Sequence, residues 1–214
     1  MRKSQFALAL VLVWIGLGVG YCSPTGLNVV PTADVLSKDT YVVLSPWSGG
    51  LRFGPEGEIY SLLQVGAGRS VEVGLDQWVN NGILDSRLNA KWKLMEEESG
   101  RPAIAIGVQN VARYSNDQPY MVATKALDRS GRSRLHAGLI SMDGASRAML
   151  GLDKSCGPTI ALQADYVSGN ENSLTAGFAL KLAESTALWV ARSFPNGSGS
   201  KSDYFVRLGF SARL

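Results

Sequence analysis

Beyond its first two dozen residues this chain has no long hydrophobic run. A membrane-spanning helix needs roughly 20 apolar residues, so none is expected there. Histidine is scarce, with His136 the single example among 214 residues, and cysteine is limited to Cys22 and Cys156. That scarcity leaves no His/Cys cluster for zinc, and no Asp/Asn/Gly loop has calcium-ligand spacing. Ser48-Gly49-Gly50 and Gly54-Pro55-Glu56-Gly57 lack the strand–loop–helix setting of a phosphate cradle and read as loop. No metal or cofactor is expected. The net charge of +3 is small and the basic residues have no interleaved aromatic platform, which excludes nucleic acid. Nor do large side chains cluster as they would around a soluble core. Apolar residues are spread thinly and regularly instead.

The N-terminus carries an address. Met1-Arg2-Lys3 is a basic head, Phe6 to Val19 is apolar, and Gly16, Gly18 and Gly20 precede Ser23-Pro24-Thr25. This pattern predicts a secretory signal over residues 1–22. Alternatives are a retained anchor, for which the run is short, and lipidation of Cys22, which the bulky Tyr21 opposes. Residues 23–39 then form a lead-in or a periplasmic plug, in which Pro31 fixes the backbone and Thr32 or Asp34 bonds neighbouring main chain. Cys156, in Ser155-Cys156-Gly157-Pro158, lies in a turn with no basic neighbour and reads as an inert thiol.

The remainder alternates with period two. Near the C-terminus Tyr204, Val206, Leu208, Phe210, Ala212 and Leu214 are apolar, while Phe205, Arg207, Gly209, Ser211 and Arg213 lie between them. Strands are predicted near 40–46, 58–66, 69–78, 83–95, 102–112, 119–128, 132–142, 146–154, 158–168, 173–183, 185–194 and 203–214. About twelve long strands, an even number, predict an all-β fold: an antiparallel transmembrane β-barrel over residues 40–214. The first two strands and the one near 185–194 have apolar residues on both faces, so their phase stays open. Tyr120, Tyr166, Trp189 and Tyr204 fall toward strand ends, as an interfacial girdle requires. The connections Pro46–Gly57, Arg113–Gln118, Ser168–Asn172 and Pro195–Ser202 are the longer set and are assigned to the outside. Gly66-Ala67-Gly68 and Ala183-Glu184-Ser185 are tight.

The phase also assigns a lumen. Arg87, Lys91, Lys93, Lys125, Arg134, Lys181 and Arg207 are expected to point inward with Glu72, Asp76 and Asp165, an excess of basic groups that favours anions. If instead these charges pair across the bore, the barrel is closed. His136 reads as a lumen-facing polar residue rather than a catalytic base, since no local spacing supplies a nucleophile. Glu96-Glu97-Glu98 reads as a solvated turn.

Thr25-Gly26-Leu27-Asn28-Val29-Val30-Pro31-Thr32-Ala33-Asp34-Val35-Leu36 resembles the opening of a group of Gram-negative outer-membrane proteins. That group includes the exopolysaccharide-associated YjbH-like barrels. Val71-Glu72-Val73-Gly74-Leu75 is similar to a hairpin strand of the same family. The resemblance implies an outer-membrane barrel and a link to surface-polysaccharide export.

The expected protein is therefore not an enzyme but a barrel in the outer membrane of a Gram-negative-type bacterium. Its partners are the lipid bilayer, the barrel assembly machinery through the C-terminal strand, and small solutes or polysaccharide. It is expected to be a narrow porin-like channel for small solutes, anions among them, or a structural barrel. The alternatives are an accessory of polysaccharide export, and a soluble periplasmic barrel with Leu174, Phe178 and Leu180 turned inward around an apolar ligand.

Overall fold

The computed structural model describes residues 25–48, 59–80, 83–111, 117–198 and 202–213. The signal expected over 1–22, with Cys22, lies outside them. Twelve strands follow in order: β1 (Thr40–Ser48), β2 (Ile59–Gly66), β3 (Val71–Asn80), β4 (Ile83–Met95), β5 (Ala103–Val111) and β6 (Gln118–Ala126). Then come β7 (Ser133–Met142), β8 (Ala145–Ser155), β9 (Ile160–Val167), β10 (Ser173–Ala183), β11 (Thr186–Pro195) and β12 (Asp203–Arg213). Each strand pairs antiparallel with its neighbours in sequence, and β1 closes on β12, with Thr40 opposite Arg213 and Ser48 opposite Phe205. Closure removes the unpaired edges that would otherwise need covering.

The local chemistry explains individual features. Asp143 and Gly144 both have positive φ, 50° and 75°, in the two-residue turn joining β7 to β8. Such a turn matches the twist of the strands it joins, and Asp-Gly is a preferred pair there. At Asn110 (φ 60°) the β4–β5 register shifts, and its N–H turns to the Asn89 side chain, 3.0 Å away. This extra residue is a β-bulge.

The two faces differ in chemistry. Leu88, Trp92, Met121, Leu139, Leu150 and Leu162 are exposed, and Leu88 keeps 57% of its surface free. Glu72, Asp76, Lys91, Asp165, Thr175 and Arg207, on the opposite phase, are buried. Polar inside and apolar outside is the inverse of a soluble sheet and matches a barrel whose solvent is lipid. Leu174 and Phe178 are exposed on the outer face, so they line no interior ligand cavity. Two aromatic assignments need correction. Tyr120 sits on the inward phase of β6, opposite Ile140, and is 5% exposed; Trp189 points inward beside Arg207 and Ala191. Neither belongs to an interfacial girdle, whereas Tyr204 is exposed on the outer face.

Candidate functional site: the barrel interior

Residues 25–36 lie inside the barrel. Gly26 bridges to Pro31, the Leu27 N–H donates to the Val30 carbonyl at 2.9 Å, and the Thr32 N–H donates to the Thr25 carbonyl at 3.1 Å. These bonds make a tight hairpin with its tip at 27–30. It extends inward from the mouth at which β1 begins and β12 ends. Pro31 and Thr32 are buried, and Asp34 is partly exposed. Gly151 makes room for the hairpin, because a Cβ there would collide with the Leu27 side chain.

The inward carboxylates hold this hairpin by its main chain. Glu72 accepts the Thr25 N–H at 2.7 Å, the Leu36 N–H at 2.9 Å and the Thr25 hydroxyl. It thereby joins the two ends of the hairpin. Lys91, at 3.8 Å from Glu72, donates to the carbonyls of Thr25 and Thr32. Deeper in, Asp165 accepts the N–H groups of Val29 at 2.9 Å and Val30 at 3.3 Å, and the Thr175 hydroxyl. N–H groups of the tip that would be orphaned in the interior thus meet an anion, and hydrogen bonds to an ionised acceptor are the stronger kind.

A third clamp involves residues the sequence reading did not connect. The Ala33 N–H donates to the Thr124 hydroxyl, which lies 2.9 Å from His136 Nδ1. His136 Nε2 is 3.5 Å from Asp153, and Asp153 holds Arg134 at 2.7 Å. Arg134 returns to the hairpin through Asp34, also at 2.7 Å. Thr, His and Asp in sequence invite comparison with a nucleophile–base–acid triad. Yet Thr124 is 2% exposed beneath Ala33 and His136 fully buried, so no substrate carbonyl can reach the hydroxyl. The arrangement serves as a clamp. Asp153 alternates in phase with Met149 and Gly151, a signal readable in 145–155.

The other expected lumen residues fall as follows. Asp76 is buried and accepts from Asn89 at 2.7 Å. Arg87 pairs with Asp85, Lys93 with Glu96 and Lys181 with Glu184, at 2.9, 2.8 and 3.0 Å. Arg207 is buried, its guanidinium 4.7 Å from the centre of the Phe205 ring. Lys125 is a correction: it lies opposite Leu135 on the outward phase. It reaches Glu97 at 3.1 Å and the carbonyls of Glu98 and Arg101. A long side chain near a strand end can turn from the apolar belt to a polar turn. The Glu96-Glu97-Glu98 run is correspondingly ordered. The Ala126 N–H and the Lys125 ammonium hold the Glu97 carboxyl below the usual carboxylate range.

The interior is filled unevenly. Between the hairpin and β5–β9 lies an apolar cluster that includes Val30, Ala33, Ala105, Val122, Ile140 and Met149, all buried. On the opposite side a cavity of about 510 Å³ remains between the hairpin and the wall of β1, β2 and β10–β12. Gln64, Trp189, Arg207 and Ser211 line it, and Lys181 and Glu184 stand at its mouth.

A closed twelve-stranded barrel with a polar interior, an apolar exterior and an internal cavity defines the architecture of a membrane-spanning β-barrel. The solved structures agree. The KdgM porin superposes with a TM-score of 0.59 at 9% identity, covering 81% of this chain and 99% of that one. A structure of the NanC porin gives 0.53 at 10% identity with the same coverage. At these identities the likeness establishes the fold. No protein-family model matches the chain, and no curated protein matches it.

Proposed function

We propose that this protein is a narrow porin-like channel of a bacterial outer membrane for small solutes, with residues 25–36 as a plug on one side of its bore. The carrying observation is the cavity itself, about 510 Å³ of unfilled space between the hairpin and β1, β2 and β10–β12. The fold it shares with two porins and the exposed apolar belt support the same reading. Arg207 is a cation on the cavity wall, and a charge in a narrow low-dielectric bore is weakly screened, so it carries the expected anion preference. Residues 1–22 are read as the export signal and the last strand as the segment recognised by the assembly machinery.

Planar bilayers carrying the purified protein test this directly. Discrete conductance steps, with a reversal potential showing anion preference under a salt gradient, are the expected result. Complete absence of conductance refutes the channel.

A second reading is an accessory barrel of surface-polysaccharide export. What favours it is that the two stretches resembling YjbH-like barrels, 25–36 and 71–75, meet at Glu72. Loss of surface polysaccharide with unchanged solute uptake in a deletion strain is the outcome this reading requires.

A further inference from the structure

Resting on the channel reading, we infer that solute enters the bore only between the hairpin and the wall of β1, β2 and β10–β12, and that Trp189, laid over Gly209, sets the width of that entrance. The route is one-sided because the hairpin is. Its clamps lie on β3 (Glu72), β4 (Lys91), β6 (Thr124), β7 (Arg134) and β9 (Asp165). The apolar cluster behind it, from Ala103 and Ala105 round to Val167, is closed to solvent. These bonds hold the hairpin toward the β3–β9 side of the barrel.

The facing wall has its own construction at that entrance. Gly209 pairs directly with Leu44 on one side and Ala187 on the other, and Trp189 pairs with Arg207, one inward position along. A Cβ at residue 209 would lie 2.6 Å from Trp189 Cζ3 and 2.6 Å from Leu44 Cδ2. The missing side chain therefore lets the indole and the leucine methyl settle against the β12 backbone. Any larger residue there displaces one of them into the cavity both line. In a bore of this size the diameter decides which solutes pass. An indole drawn against the backbone leaves more room than one held off it, and glycine is what allows the close approach.

The test uses the full-length protein with Cys22 and Cys156 replaced by serine, in planar bilayers. Single cysteines are introduced as Ala187→Cys and Ser211→Cys on the proposed route, and as Ala105→Cys on the sealed side. A charged methanethiosulfonate reagent should remove most of the current through the first two and leave the third unchanged. Trp189→Ala should raise the single-channel conductance roughly twofold, and Gly209→Val should lower it, since pore diameter controls passage. Heat-modifiable migration of each variant shows that its barrel has assembled. Block through Ala105→Cys overturns the one-sided route, because it means that the hairpin leaves. Equal conductance of Trp189→Ala and the parent overturns the role of the indole. A parent that carries no current refutes the channel reading before any variant is compared.

Discussion

Arg134 Nη1 lies 2.7 Å from the Asp34 carboxylate, joining strand β7 to a hairpin 100 residues earlier in the chain. The same guanidinium holds Asp153 on β8, so one side chain ties two strands and the hairpin together. It is nevertheless partly exposed, as is Asp34, and pairs of that kind contribute at most about 1 kcal/mol. The buried acceptors Glu72 and Asp165 should matter more, because removing one partner strands main-chain donors away from water.

That ranking is testable by proteolysis of the 25–39 segment in detergent. Glu72→Ala and Asp165→Ala should each weaken retention of the hairpin by about 1–3 kcal/mol, seen as much faster cleavage. Arg134→Gln should change it by less than about 1 kcal/mol. A larger effect from Arg134→Gln than from either carboxylate would reverse the ranking.

The last strand offers a comparison of faces. Phe210 is on the outer phase, and Ser211 lines the cavity. Phe210→Arg places a charge in lipid at a cost of up to about 2–4 kcal/mol near the midplane, whereas Ser211→Asp faces water. Assembly, read as heat-modifiable migration on a gel, should fail for the first and persist for the second.

Arg207→Gln should reduce the anion preference of the channel. The reduction should be larger at low ionic strength, since the Debye length is about 10 Å at 0.1 M salt and longer below it. Reversal potentials at two salt concentrations measure both effects. An unchanged preference would move the selectivity to other charges of the bore.

Asp128 lies in the turn between β6 and β7. Its carboxylate accepts from the Ser130 hydroxyl, and from the N–H groups of Ser130, Arg132 and Ser133. These bonds, Ser130 foremost, hold its carboxyl well below the usual carboxylate range. A depressed folded-state value means the turn is favoured above the ordinary carboxylate range and loses that support as pH falls through the depressed value. NMR shifts of the Ser130, Arg132 and Ser133 amides should titrate together at strongly acid pH, and Asp128→Asn should abolish the titration.

Which strands were hard to phase has a physical explanation. For β3, β4, β5, β9, β10 and β12, apolar and polar residues separate cleanly by parity. For β1, β2 and β11 they do not, and these are strands of the cavity wall. Val42, Leu44, Leu62, Ala187, Trp189 and Ala191 all take the inward phase there, so both faces are apolar. The placement of Lys125 failed differently: β6 has Tyr120 and Val122 on one phase and Met121 and Ala123 on the other, so neither face is marked as the apolar one. Residues 25–36 read equally well as lead-in or plug, since Pro and Thr constrain local backbone without naming what it meets.

From its sequence alone this protein was bound to be a barrel of about twelve strands, with most of its outward and inward residues distinguishable. Period-two alternation is a local property, and lipid outside with polar groups inside is the arrangement that satisfies it. Only the tertiary structure decided that the hairpin enters the bore, which carboxylates receive its N–H groups, and where a cavity remains beside it. Those contacts join residues up to 136 positions apart, as between Val29 and Asp165, and no local pattern encodes them. They arise because buried main-chain donors must find acceptors wherever closure of the barrel places them.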